Sequence, residues 1–387
     1  MRFPRYRANS SQPGDSSPGW LEFLLAIKFN PFQCVAVWNF DYRRQFASDN
    51  NSGCCPEAME ALESLNQGHV VSYGVDELTT KAIESFRTLF ETDCEVFFVF
   101  NGTAANGLAI GSYCSRHHSV LCHSDSHVES DECNAVGFLN QGVRIVPVEG
   151  ANGKITIETL QEALQGRRDV HASLPRVLSL TNVTELGTLY RPDEIARLTA
   201  FARSKELAVH VDGARFANAV ASAGCTPAEL TWKAGVDVLV FGGTKNGLAF
   251  GEAVIFFNRK DAAEFLYRMK QSGQLASKMR FLAAQWLGLL TSGKWLEHAR
   301  HSNAMAETLH VRLSQIPAVK LLFPREGNAV FARIPESAIA RLYELGWRFY
   351  THVGPGGGAR LMCSWDTAPE DVDQFARDLR NAVSAQP

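Results

Sequence analysis

The sequence predicts an α/β fold: a large domain on a mainly parallel sheet flanked by helices, then a smaller C-terminal α+β domain. Three observations predict it. Short continuous apolar runs, such as Glu95 to Phe100 and Val236 to Phe241, alternate with helix-period stretches through most of the chain. Runs of that kind suit strands buried on both faces. Several of them stop abruptly in turns of glycine and small polar residues, as at Asn101-Gly102-Thr103 and Gly242-Gly243-Thr244-Lys245. From about Leu296 the character changes to one long helix, short strands and a last helix.

Bulk properties narrow the function classes. The chain has 387 residues and 45% hydrophobic content, enough for a large core and two domains. A formal charge of −3 leaves no basic footprint for nucleic acid. No apolar run approaches the length that spans a bilayer. Nine cysteines include no CxxC pair, and the vicinal Cys54-Cys55 is not a metal spacing, which points to reduced thiols in the cytoplasm.

In chain order, residues 1–45 stand apart. NSSQPGDSSPG has a disordered composition, and WLEFLLAIKF is short and interrupted by Glu22 and Lys28, so this arm is expected to be dispensable. The large domain is expected over 46–293 and the small one over 294–387. Phe46 to Gly53 is a polar, turn-forming opening that can cap the helix after Pro56. A helix over Pro56 to Leu65 precedes SYGVDE.

The strand Glu95 to Phe100 feeds a helix running to Cys114 through a small-residue turn. Strand, turn, then helix is a phosphate-binding geometry, because free backbone N–H groups and the helix dipole meet the anion. That singles out Gly102 and Thr103. The turn is neither a Walker motif nor GxGxxG. After a strand over Ser119 to Cys122 comes HSDSHVESDE. Its His and acid spacing fits none of the standard zinc motifs, so no metal is expected.

Strands over Val143 to Val148, Arg176 to Leu180 and Leu207 to Val211 alternate with helices over Ile157 to Leu164 and Pro192 to Ser204. The last of these strands delivers Asp212. The run Val236 to Phe241 delivers Lys245. A lysine held at a strand end can lose its proton and attack carbonyls. With a carboxylate opposite, it is the minimal kit for pyridoxal phosphate: a Schiff-base lysine and an acid for the pyridinium nitrogen. In the C-terminal part, a helix to Leu313 leads to strands over Val319 to Phe323, Ala329 to Ile334, Arg348 to Val353 and Ala359 to Trp365. GPGGG reads as a hairpin turn, since no helix follows it. The last helix covers Pro369 to Val383.

HVDGAR (His210 to Arg215) followed by FGGTKNG (Phe241 to Gly247) resembles the threonine aldolase family, within the fold-type I pyridoxal phosphate enzymes. The likeness is nearest to the bacterial low-specificity threonine aldolases and phenylserine aldolases, and runs from about Phe46 to about Ala385. It implies the following roles. Lys245 holds pyridoxal 5'-phosphate as a Schiff base, Asp212 faces the ring nitrogen, and His127 stacks on the ring, with Glu132 close by. Gly102 and Thr103 cradle the phosphate, and Lys270 reaches the phosphate of a neighbouring subunit, with Lys278 and Arg280 as rivals. Ser48, Tyr73, His171, Arg215 and Arg360 bind substrate, Arg360 by a bidentate fork on the α-carboxylate. The base that takes the β-hydroxyl proton is His171, His127 or a water.

The implied reaction is reversible cleavage of L-threonine, L-allo-threonine or relatives such as phenylserine to glycine and an aldehyde. The implied assembly is a homodimer or homotetramer with shared active sites. Another pyridoxal phosphate lyase, a racemase or an aminotransferase is the alternative.

Overall fold

The computed structural model describes residues 45–166, 169–354 and 357–384. The arm therefore lies outside the described residues except for Gln45, as does the centre of the GPGGG turn. Seven strands form the main sheet: β1 (Glu95–Val99), β2 (His118–His123), β3 (Arg144–Val148), β4 (Leu174–Thr181), β5 (Ala208–Gly213), β6 (Val238–Phe241) and β7 (Glu252–Phe256). Their order is β1-β7-β6-β5-β4-β2-β3. Pairing is parallel from β6 through β5, β4 and β2 to β3. Only β7 runs against its neighbours β1 and β6.

The helices of this part are α1 (Pro56–Ser64), α2 (Glu77–Phe90), α3 (Gly102–Gly111), α4 (His127–Ser130), α5 (Ala135–Leu139), α6 (Ile157–Leu164), α7 (Pro192–Ser204), α8 (Phe216–Ala223), α9 (Phe265–Gln271) and α10 (Arg280–Thr291). Local chemistry sets where they start. Pro192 opens α7 and Pro56 opens α1, where a missing N–H costs nothing. Asp76 accepts from the Thr79 N–H at 2.8 Å to cap α2. Asn101 caps α3 through the Ala104 N–H at 2.9 Å. Helices α2 and α10 bury an aromatic cluster against the sheet: Phe86, Phe241 and Trp286 are fully buried, with ring centroids 5.0–6.1 Å apart.

The chain then runs through α11 (Lys294–Ser314), β8 (Lys320–Leu321), β9 (Ala329–Arg333), α12 (Glu336–Glu344), β10 (Tyr350–Val353), β11 (Gly358–Met362) and α13 (Pro369–Ser384). The four strands make a second sheet, antiparallel throughout, in the order β10-β11-β9-β8. Two expected strands are shorter than the apolar pattern suggests. The edge strand β8 keeps only two paired residues. Strand β11 ends at Met362, whose N–H turns to the Phe46 carbonyl at 2.8 Å.

That bond shows where the opening segment goes. Phe46 lies in the second core, stacked on Trp347 at 5.7 Å and edge-on to Phe375 at 5.2 Å. Removing a fully buried phenyl ring leaves a cavity as well as losing its transfer energy. Phe46→Ala is expected to lower stability by about 3–5 kcal/mol, seen as an earlier urea unfolding midpoint with an unchanged slope.

Candidate active site

Strand direction decides what meets. Strands β1, β5 and β6 present their C-terminal ends on one sheet edge. Because β7 is antiparallel, its first residue, Glu252, arrives on the same edge. A cavity of about 390 Å³ opens there, lined among others by Gly102, Thr103, Asn106, His127, Asp212, Lys245 and Glu252. Ends of parallel strands are where open α/β sheets hold ligands.

Lys245 rides on a turn anchored by Glu252. The Gly243 N–H donates to Glu252 Oε2 at 2.5 Å and Thr244 Oγ1 donates to Oε1 at 2.7 Å. Burial pushes the Glu252 carboxyl up, against those two bonds and the Lys245 charge. The paired glycines are steric requirements. A Cβ on Gly242 would sit 2.4 Å from the Ala214 carbonyl oxygen, and one on Gly243 would meet the Gly251 carbonyl oxygen and the Trp286 ring at 2.6 Å.

Asp212 is 2% exposed at the end of β5. Its Oδ1 accepts from the Ala214 N–H and its Oδ2 from Asn106 Nδ2, both at 3.0 Å. Asn106 Nδ2 also donates to Glu132 Oε1 at 2.8 Å, and that oxygen lies 2.9 Å from His127 Nδ1. The hydrogen bond to Glu132 raises the His127 imidazole above its ordinary value, against burial. Burial in turn raises Glu132. His127, Glu132 and Asp212 bring donor atoms within 4.8 Å of one another, a possible cation cluster, yet the Asn106 amide already donates to both carboxylates.

At the start of α3, the first-turn N–H groups have no intrahelical acceptor. Asn101 takes that of Ala104, and the space beside Gly102 is open: a Cβ there would meet nothing within 4 Å. The turn can therefore take an anion against its backbone.

A second group lies beside these. Arg215 donates to buried Asp49 through Nε at 2.7 Å and Nη2 at 2.9 Å, and Asn328 Nδ2 adds a bond to Asp49 at 3.1 Å. Burial alone would push the Asp49 carboxyl up. The Arg215 and Lys245 charges and the two hydrogen-bonding side chains outweigh it and hold Asp49 below the usual carboxylate range. Arg360 is different. Its Nη2 donates to the Ala47 carbonyl at 3.2 Å and its guanidinium lies 5.0 Å from the Tyr350 ring centroid. Its Nε is buried with no partner among the described residues. Burial, then Arg215, depresses its pKa. A half-empty buried fork is the feature a carboxylate would complete.

The structure thus gathers Gly102, Thr103, His127, Asp212 and Lys245 around one cavity, and sets the other expected site residues outside its lining. Arg215 turns Nε and Nη2 to Asp49. Ser48 Oγ accepts from the Asn50 N–H at 3.2 Å, so it caps a single turn. His171 is exposed in the loop before β4. Because β4 runs parallel to β5 and β6, that loop belongs to the opposite sheet edge, away from the cavity of its own chain. Tyr73 and Lys270 pair with each other, Nζ 4.7 Å from the ring centroid, and neither lines the cavity.

Sequence reasoning missed Asp49, Asn106, Glu252 and Glu185. Glu185 is half-buried on the turn leaving β4, and its charge acts on His127, Arg215 and Arg360. Its position just past a strand end was the available signal. Asp49 had none, since its partner lies 166 residues away.

Comparison with known proteins points to one family. Residues 45–337 match the family model described as beta-eliminating lyase. A low specificity L-threonine aldolase of a Pseudomonas species is 54% identical over 345 residues, 89% of this chain and 99% of the relative. The chain belongs to the threonine aldolases of the beta-eliminating lyase family. The low specificity L-threonine aldolase of Pseudomonas aeruginosa is 53% identical over the same share of both chains. The solved threonine aldolase of Leishmania major superposes with a TM-score of 0.83 at 28% identity, covering 88% of this chain and 99% of that one. An alanine–glyoxylate aminotransferase from Nostoc shares the fold alone, at 18% identity and a TM-score of 0.66.

Within this member of the family, the Asp49–Arg215 pair has a measurable signature. A carboxyl whose folded pKa is depressed adds stability above its unfolded pKa and loses it as pH falls through the folded value. Asp49→Ala strands a buried guanidinium and is expected to cost about 3–5 kcal/mol at pH 7. Urea titrations at successive pH values should show that deficit shrinking below about pH 4.

Proposed function

We propose that this protein is a pyridoxal 5'-phosphate-dependent aldolase that reversibly cleaves L-threonine, L-allo-threonine or related β-hydroxy-α-amino acids to glycine and an aldehyde. The observation that carries the reading is the meeting of Lys245, Asp212, His127 and the Gly102–Thr103 turn in one cavity. The names of the relatives support the substrate class and the L configuration. The residues fit the cofactor: a lysine for its aldehyde, a buried acid for its ring nitrogen, an imidazole for its ring face and free N–H groups for its phosphate.

The cofactor, when bound, supplies an electron sink next to Cα. The chain does the rest. Lys245 Nζ would hold the cofactor through its aldehyde. Arg360 grips the α-carboxylate with its free Nε, so that the Cα–Cβ bond is held in the orientation for cleavage. The β-hydroxyl loses its proton to His127 Nε2 or to Glu185, the acid on the same side as Arg360. The Cα–Cβ bond breaks, the aldehyde leaves, and Cα is reprotonated to give glycine.

The protein acts as a homodimer or homotetramer. Exposed Val70, Val71, Val75, Leu266 and Tyr267 offer apolar area for the contact, and Lys270 sits among them to reach a partner's phosphate. The described cysteines are all free, which suits a cytoplasmic enzyme. No helix among the described residues is long and apolar enough to cross a membrane.

Purified protein given pyridoxal 5'-phosphate is expected to turn yellow, and L-threonine to yield acetaldehyde and glycine in equal amounts. Lys245→Ala should lose both colour and turnover. Ammonia with a keto acid as the products would instead assign a β-eliminating enzyme. Arg360→Lys keeps the charge but loses the planar fork. It should lower kcat/KM for L-threonine by about 10²-fold while leaving cofactor affinity unchanged.

A further inference from the structure

The cavity wall behind Asp212 contains a chain of buried polar groups that catalysis as described leaves unassigned. Asn106 is 2% exposed, Glu132 4% and Asp212 2%. One Asn106 amide nitrogen donates both its hydrogens, to Glu132 Oε1 at 2.8 Å and to Asp212 Oδ2 at 3.0 Å. Glu132 Oε1 then meets His127 Nδ1 at 2.9 Å. Two atoms on this path are buried without a partner among the described residues, Asn106 Oδ1 and Glu132 Oε2. A connected chain of buried polar groups fixes the relative positions of the groups it joins.

The path joins two groups that touch opposite parts of the same ligand site. Asn106 stands on α3, four residues past Gly102, while His127 opens α4 and Asp212 ends β5. A side-chain amide between two carboxylates offers hydrogen to each and charge to neither. It lets them share a buried pocket with a donor between them. With Nδ1 engaged by Glu132, the other ring nitrogen of His127, Nε2, is the one left for the cavity.

We propose that Asn106 and Glu132 are positioning residues: Glu132 sets the orientation and proton of His127, and Asn106 links that pair to the carboxylate of Asp212. The proposal rests on the pyridoxal phosphate reading for its effect on cofactor, while the His127–Glu132 link can be tested without it. The groups facing His127 are Glu132, Glu185, Asp212 and Lys245, and of these only Glu132 bonds to the ring. Those facing Glu132 are His127, Asp212 and the Asn106 amide.

The first measurement uses cofactor-free protein with labelled histidine, the His127 signal being assigned by its loss in His127→Asn. Glu132→Gln retains the shape of the acid and an acceptor oxygen but removes its charge. It should move the His127 titration midpoint down by at least about one pH unit. An unmoved midpoint overturns the proposal.

The second measurement is the cofactor dissociation constant as a function of pH, read from the visible band. Asn106→Ala should weaken binding by about tenfold or more. Glu132→Gln should shift the histidine-linked step of the profile to lower pH. Asn106→Ser, which can still donate to one carboxylate, should fall between wild type and Asn106→Ala, and replaces Asn106→Ala if that variant fails to fold. Profiles that superimpose on wild type overturn the coupling. A wild-type protein that never binds pyridoxal phosphate overturns the assigned function and the Asp212 arm, while the histidine titration still decides the Glu132 arm.

Discussion

Parallel strand direction is the constraint on which the site depends. In this sheet β5 and β6 end side by side, so Asp212 and the Lys245 turn are neighbours before any side-chain preference acts. Reversal of β7 then brings Glu252, from the start of a strand, to the ends of the others. The same rule puts His171 on the far edge of its own chain, since it precedes a parallel strand. Position along a strand is thus a stronger filter for candidate residues than residue type.

Close backbone approach makes the second layer of the arrangement. The Gly242-Gly243 pair lets the β6 turn lie against Ala214, the residue whose N–H bonds Asp212. The Lys245 turn and the Asp212 carboxylate are therefore built on adjoining backbone. Glu252, buried beneath, ties the lysine turn to the sheet with two short hydrogen bonds. The Lys245 side chain thus stands on backbone held in place from beneath.

Much of this was legible in the sequence, and the reasons for success and failure are physical. Lys245, Asp212 and Gly102 could be read because each sits where an apolar run stops, a local signal. Helix limits at Pro192 and Ile157 were readable because capping is local too. Asp49 and Asn106 depend on partners far along the chain, so no short window contains the pattern. Arg215 illustrates the same limit from the other side. Its place in HVDGAR marks it as functional, but only the fold reveals that its charge is already matched by Asp49.

The opening segment has one more implication. Asp49 is buried against Arg215 and Asn328, and Phe46 against Trp347 and Phe375. Phe46 thus packs on residues made near the end of the chain, and the second core closes only once Trp347 and Phe375 have both been made. Contacts of such long sequence separation are slow to form. A chain shortened by its last helix would keep Phe46 and Trp347 but lack Phe375, leaving an open aromatic cluster.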